Sequence, residues 1–439
     1  MHGSSGKTVV TCLLLAALEL QGQSVQPFKA GPDYIDPGYH NRYSRRASRN
    51  LDAWLMGRER VLEEAGHHTL SATGVLEGVM GLFDGAHPTS EEGSTMELAR
   101  WLDWPVVLCV PAAKAGRSLA AGLRGFLAEA GPGRISGVVL VGVSGDSHTE
   151  YLQEALRPSG IPIFGAVPNM EALAWPERHL GLQAAQEREL PSQEELAAIA
   201  RRTLDLNAFA ALARIHTGAD SSAGVSTQPS GTHPSSTNRR RKVGIARDEA
   251  FHFYYEANLD WLVAQGADLV PFSPLADRSI PPGVDALLLG GGFPEVHAEA
   301  LAQNPSLLDS IRDALNNGVH CYAECGGLML LSEAIVSLDG KRFPMAGVVP
   351  GVVEMTRTLQ NFGYCSVAHF MGSSPRGHEF HHSRWTGEET HANAWEVTRR
   401  RNGKTRREGF RREGLHASYV HLYFPALPPT LTASLSLTP

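Results

Sequence analysis

Two stretches of this chain combine residue types and spacing that could do chemistry. The first is Gly3-Ser4-Ser5-Gly6-Lys7-Thr8, which runs directly into an apolar helical pattern over 8–20 that stops at Gly22. Free backbone N–H groups at the start of a helix, an ammonium and a hydroxyl suit a phosphate chain and its Mg²⁺. A full phosphate loop of this class would carry glycine where Met1 stands and would follow a strand. A Ser/Gly-rich helix entry is the plainer alternative. The second stretch is Glu324-Cys325-Gly326-Gly327, preceded by the small Ala323. Small neighbours permit a tight strand-to-helix turn that exposes a thiol at a helix N-terminus, where thiolate is favoured.

A thiol nucleophile needs an oxyanion site and a base. Leu287 to Glu295 reads as a strand entering a glycine loop, and the amides of Gly291, Gly292 and Gly326 are candidates for the oxyanion site. His421, in the otherwise apolar run Ser418 to Phe424, is the candidate base. Taken singly, Cys325 is as easily a buried structural thiol and His421 a satisfied core histidine. Jointly with the glycine loop they read as catalytic.

The elements that must position these groups follow from the pattern of apolar residues. Short β-branched runs at 25–29, 74–77, 106–110, 135–143 and 161–167, then at 243–246, 286–289 and 319–323, alternate with helical patterns. This predicts α/β architecture with parallel sheets in two doubly wound domains. Between them, Thr217 to Asn238 is almost free of large apolar residues and cannot form a core, so a flexible linker is expected over 217–241, with domains at 1–216 and 242–439.

Composition narrows the function. The 439 residues are 42% hydrophobic, enough for large cores, and the formal charge of −7 argues against bulk nucleic-acid binding. The locally basic stretches at 239–242 and 399–412 are expected to be solvated loops. Five scattered cysteines make no disulfide framework, and no signal peptide or membrane-spanning run is evident, so a cytoplasmic setting without membrane partners is expected.

Longer words in the chain, at 26–37, 50–52, 77–85 and 176–182, then at 246–251, 272–277, 290–295, 324–327 and 377–381, resemble those of the cobyrinate a,c-diamide synthase family. The resemblance implies an N-terminal ATP-dependent amide-forming domain, similar to dethiobiotin synthetase, joined to a class I glutamine amidotransferase domain with Cys325 as nucleophile. It implies ATP and L-glutamine as co-substrates, Mg²⁺ as cofactor, and cobyrinic or hydrogenobyrinic acid as the acceptor, amidated at its a and c acetates through an acyl phosphate. The two domains are expected to pack closely so that ammonia passes shielded. Metal ligation is carried onto Thr8, Asp52 and Glu77. Glu77 also follows a buried-looking strand and precedes glycine, as sites at strand ends in open α/β sheets do. Lys29, Asp33, Arg178 and His179 are placed near phosphate or substrate, and the role of Asp84 is left open. A homodimer is left open too.

Three departures from the family pattern matter. Class I amidotransferases often place Glu two residues beyond the histidine, where this chain has Tyr423, so a Cys–His pair without an identified orienting group is expected. Val141 stands where the family usually has Asn after the strand Gly137 to Leu140, which puts reading of the nucleotide base in doubt. The strand that should hold the phosphate loop is missing, and the expectation is a misplaced start, with a short apolar strand encoded upstream of Met1. The histidines at 378, 381 and 382 are not expected to hold zinc. Two other functions remain open: amidation of another tetrapyrrole such as nickel-sirohydrochlorin, or a glutaminase domain on a non-catalytic tetrapyrrole-binding module.

Overall fold

Apolar strands that alternate with amphipathic helices build both halves of the chain. The computed structural model describes residues 5–175, 177–178, 181–182, 185, 189–217, 240–368, 374–387 and 392–429. The chain divides into two compact units, Met1–Ser226 and Thr227–Pro439. Gly3, Ser4 and His179 lie outside the described residues, as does most of the segment read as a linker.

In the first unit α1 (Lys7–Leu20) leads to β1 (Val25–Ala30), α2 (Ile35–Tyr43), β2 (Arg49–Leu51), α3 (Ala53–Thr69) and β3 (Thr73–Glu77). Then come α4 (Thr95–Leu102), β4 (Val106–Pro111), α5 (Ser118–Ala130), β5 (Ile135–Val143), α6 (Asp146–Leu156) and β6 (Ile163–Pro168). A short antiparallel pair, β7 (Glu177–Arg178) and β8 (Gly181–Leu182), precedes α7 (Gln193–Thr203) and α8 (Leu206–Thr217). The long strands form two parallel three-stranded sheets, β2-β1-β3 and β4-β5-β6. One apolar cluster gathers α1 and α7 with Val25, Val139 and Val167, and another gathers α4, α5 and α6 with Leu108, Val138 and Leu140. Adjacent residues of β5 thus feed opposite clusters, as the two-residue period of a strand requires.

The second unit runs β9 (Arg241–Ala246), β10 (Phe251–Phe253), α9 (Glu256–Ala264), β11 (Ala267–Phe272), β12 (Ala286–Leu289) and β13 (Gly291–Gly292). It continues with α10 (Ala298–Ala302), α11 (Pro305–Asn316), β14 (His320–Glu324) and α12 (Gly326–Leu331). Three short strands follow, β15 (Ala334–Val336), β16 (Arg342–Pro344) and β17 (Val352–Met355), and then β18 (Asn361–Ala368), β19 (Arg376–His381) and β20 (Ser383–Trp385). The last strands are β21 (Ala392–Arg399), β22 (Thr405–Arg412), β23 (Leu415–Ser418) and β24 (His421–Leu422). A ten-stranded sheet has the order β11-β9-β12-β14-β23-β22-β21-β18-β19-β24. Its pairings from β11 to β23 are parallel and the others antiparallel.

The antiparallel half departs from the expectation of parallel sheets alone. The stretch at 399–412, read as a solvated loop, instead forms the end of β21 and all of β22. Within β22, Glu408 and Phe410 are buried, and Arg406, on the same side of the strand, pairs with the buried Glu379. Val141 lies inside β5, which spans the run expected over 135–143. The Val141 side chain packs on the phosphate loop, its Cγ1 2.6 Å from where a Cβ on Gly6 would stand.

Close backbone approach fixes the turn after β14. A Cβ on Gly327 would lie 2.2 Å from the Leu289 carbonyl oxygen, so α12 and the end of β12 can meet only over a bare Cα. We expect Gly327→Ala to lower the urea midpoint by an amount equivalent to about 1–3 kcal/mol; an unchanged midpoint would show that the two elements can separate freely.

Candidate functional site

In the first unit the chemistry gathers on Glu77. It ends β3, and the register sets it directly beside Lys29 of β1. Its Oε1 accepts from the Thr8 hydroxyl at 2.7 Å and from Lys29 Nζ at 3.0 Å, and its Oε2 lies 2.7 Å from His40 Nε2. Burial alone would raise this carboxyl's pKa. The Lys29 ammonium, the imidazole of His40 and the Thr8 hydroxyl outweigh burial and hold it well below the usual carboxylate range. Lys29 also meets Asp36 at 2.5 Å. Burial disfavours its ammonium, but Asp36 and Glu77 reverse that and hold its pKa above the ordinary value. His40 Nδ1, 2.9 Å from the Ser48 hydroxyl, completes the network.

The phosphate loop enters this cluster through α1. Gly6 caps the helix in the left-handed region, at φ 74°, which glycine adopts without penalty. The Ser5 hydroxyl is buried with no hydrogen-bond partner among the described residues. Burial and the neighbouring Lys29 hold the Lys7 ammonium's pKa below its ordinary value. Hard oxygen donors suit Mg²⁺, and the Thr8 hydroxyl and Glu77 carboxylate, in mutual contact, offer that class of donor.

Other expected residues take local roles. Asp52 is buried at the N-cap of α3, where Oδ1 accepts from the Leu55 amide at 2.7 Å, and it stands one residue beyond β2 at the same strand ends as Glu77. Asp33 caps α2 through the amides of Ile35 and Asp36. Asp84 closes a turn on the Gly81 amide. Arg178 is located only by its place in β7. His40 and Asp36 were not anticipated. They sit in Ile35–Tyr43, whose internal Pro and Gly read as a turn, and only the family word at 26–37 pointed toward Asp36.

The second unit brings its expected groups together. Cys325 has φ 49° and ψ −102°, a strained conformation for a residue with a side chain. Its amide donates to the Ser418 carbonyl at 2.7 Å. Gly291 and Gly292 run beside the turn: a Cβ on Gly326 would lie 3.2 Å from the Gly292 nitrogen, and one on Gly291 would lie 2.8 Å from His421 Cε1. His421 is buried in β24, and Cys325 and Glu324 both act on its imidazole. Its Nδ1 lies 3.2 Å from Glu324 Oε2. Burial opposes the imidazolium, but the hydrogen bonds to Cys325 and Glu324 and their charges push its pKa up to about 10. The imidazolium is thus favoured once the thiol has given up its proton, and that proton is then available to a leaving group.

The segment that carries His421 is clamped on both sides. Glu408 accepts from the Ser418 hydroxyl at 2.6 Å and the Tyr419 amide at 2.7 Å. Asn258 donates to the Leu422 carbonyl and accepts from the Phe424 amide, both at 2.8 Å. The ring of His378 stacks on His421 with centroids 4.9 Å apart, and its Nδ1 is 3.2 Å from the Tyr255 hydroxyl. His381 stacks on Tyr419. His378 thus lies against the His421 ring, and His381 against the residue two positions before it.

Two family models match the chain. The CobQ/CobB/MinD/ParA nucleotide binding domain covers residues 1–182, and the CobB/CobQ-like glutamine amidotransferase domain covers residues 242–428. Among curated proteins, the cobyrinate a,c-diamide synthase of Syntrophotalea carbinolica is 41% identical over 97% of this chain and 94% of its own length. The proteins of the same name from Priestia megaterium and Listeria monocytogenes are each 38% identical, over 95% and 96% of this chain and 91% and 94% of theirs.

The Lys29–Glu77 contact buries both charges almost completely, at 2% and 1% side-chain exposure. Removing one partner strands the other in a low-dielectric site. Lys29→Met should therefore destabilise the first unit by about 3–5 kcal/mol in urea denaturation, and a loss below 1 kcal/mol would mean that water or another cation replaces the ammonium.

Proposed function

The chain belongs to the cobyrinate a,c-diamide synthase family, and from that premise we propose that it converts the a and c acetates of cobyrinic or hydrogenobyrinic acid to amides, taking nitrogen from glutamine and energy from ATP. It is a glutamine-dependent amide-forming ligase of cobalamin synthesis with a tetrapyrrole substrate. The observation that supports the mechanism most directly is the strained Cys325 turn with the buried His421 imidazole and the glycine loop alongside.

In the glutaminase half-reaction, His421 takes the thiol proton and the Cys325 sulfur attacks the side-chain amide carbon of glutamine. The developing oxyanion lies toward the amides of Gly291, Gly292 and Gly326. As the C–N bond breaks, His421 returns the proton to the leaving nitrogen, which departs as ammonia. Water then hydrolyses the γ-glutamyl thioester to glutamate and restores the thiol.

In the synthetase half-reaction, a substrate carboxylate attacks the γ-phosphorus of ATP and releases ADP, and ammonia displaces phosphate from the acyl phosphate. The Gly3 to Thr8 loop holds the phosphates and the Lys7 ammonium offsets their charge. Mg²⁺, held by Thr8 and Glu77 with Asp52 nearby, would neutralise charge on the β- and γ-phosphates when bound. His40 and Lys29 keep Glu77 ionised and oriented, and Lys29 with Asp33 faces the phosphate or substrate region.

Two variants separate the halves. Cys325→Ala should abolish glutamine-dependent amidation yet leave synthesis with high ammonium; equal loss with both nitrogen donors would remove the two-site mechanism. Glu77→Gln should cut ATP turnover by at least 10²-fold, on the order of a lost charge-stabilising group, while glutamine hydrolysis survives. Undiminished ATP turnover would refute the metal assignment. Assays with cobyrinic acid, hydrogenobyrinic acid and nickel-sirohydrochlorin decide the acceptor, and a higher kcat/KM for the last would overturn the corrinoid reading.

A further inference from the structure

The base described above has a partner on its far side that the reaction does not consume. We infer that Glu324, the residue immediately before the nucleophile, is the positioning residue of the glutamine-hydrolysing site, holding His421 through Nδ1 so that Nε2 faces the Cys325 thiol. The inference rests on reading Cys325 and His421 as the amide-cleaving pair.

Placement argues first. Side chains alternate across a strand, and β14 sends Cys321 and Ala323, together with Cys325 at the turn beyond it, into one apolar cluster, while Tyr322 goes into the cluster that also holds Leu422 and Phe424. Glu324 shares the side of Tyr322, so its carboxylate points at the main chain around His421 while the next residue points at the substrate side. The class I arrangement, in which the carboxylate comes from two residues beyond the histidine, is ruled out here by Tyr423, which packs against Tyr255 instead. A different point on the chain reaches the same ring nitrogen.

The hydrogen bonds argue second. Glu324 is 6% exposed, and Oε1 accepts from the Tyr322 hydroxyl at 2.8 Å and from the Leu422 amide at 3.1 Å. A buried carboxylate needs several such donors to stay ionised. Both are neutral and fixed, one of them in the backbone next to His421, so Oε2 is left aimed at Nδ1 at 3.2 Å. The carboxylate is thus gripped by the very segment that it orients.

The surroundings argue third. Against His421 stand Cys325 at the turn, Glu324 from β14 and His378 from β19, the last in contact with Tyr255. Gly291 packs on the ring edge, with the buried Tyr254 phenol beyond on Gly290. Burial and the facing His421 hold the pKa of His378 well below its ordinary value, so it is uncharged. Glu324 is therefore the carboxyl group on the Nδ1 side, and the imidazolium formed when the thiol loses its proton lies between it and the sulfur.

Glu324→Gln tests this in the full chain. The amide oxygen can still accept from Tyr322 and Leu422, but the amide nitrogen then faces Nδ1, which must become an acceptor. The ring proton moves to Nε2, against the thiol. The expected result is a fall in glutaminase kcat of up to about 10⁴, the loss produced by an acid-to-amide change behind a catalytic histidine, with KM for glutamine within threefold and ammonium-driven amidation retained. The alkaline limb of glutaminase kcat/KM should also move to lower pH, because the imidazolium has lost an anion that stabilised it. Should the variant fold poorly, Glu324→Asp keeps the charge and should leave the alkaline limb in place with a smaller loss of kcat. Glutaminase kcat within threefold of the parent, or an alkaline limb that stays put in Glu324→Gln, would overturn the assignment. Glutamine hydrolysis surviving in Cys325→Ala would instead overturn the pair on which it rests.

Discussion

The second unit depends on one strained residue. At Cys325 the chain leaves β14 with positive φ, and everything nearby is arranged around that turn. Ala323, Gly326 and Gly327 leave room for it, and Gly291 makes space for the imidazole. The Cys325 amide is taken by the Ser418 carbonyl, so the turn is tied to the strand that leads to His421. Strain of this kind persists only where packing over-determines it, and here the turn lies between two apolar clusters that share the sheet.

The first unit is organised by charge instead. Glu77 meets a hydroxyl, an ammonium and an imidazole, each drawn from a different element: α1, β1 and α2. A carboxylate buried this deeply survives as an anion only because those donors are fixed. The same network places the phosphate loop, since Thr8 is both its last residue and a Glu77 donor. Parallel register is what makes this possible: Lys29 and Glu77 are cross-strand neighbours at the ends where α/β sheets hold their ligands.

Much of this was legible in the residues. The parallel strands were visible because both their faces are buried, which leaves continuous β-branched runs such as Ile135–Val143. Cys325, His421 and the glycine loop stood out through spacing and small neighbours. The antiparallel strands were harder, because a strand such as Thr405–Arg412 carries charged residues on both faces, with Arg406 next to Arg407 and Arg411 next to Arg412, and so shows no period of two. Glu324 escaped notice because an orienting carboxylate was sought downstream of the histidine, and only the fold shows that it comes from beside the nucleophile. His40 was hidden in a helix whose proline and glycine imitate a turn. Val141 lies within the strand expected over 135–143, and its packing on Gly6 is visible only in the fold.

The link between the turn and its base also sets an order of events during synthesis. Glu324 and His421 are 97 residues apart, and β23, which receives the Cys325 amide through Ser418, comes almost as late. A nascent chain that has already made Cys325 therefore lacks the partners that hold its backbone in the strained form, and contacts this distant in sequence close late. The thiol passes through translation in a relaxed turn without its base, and it gains its reactive geometry only when the sheet takes in the strand that carries the histidine.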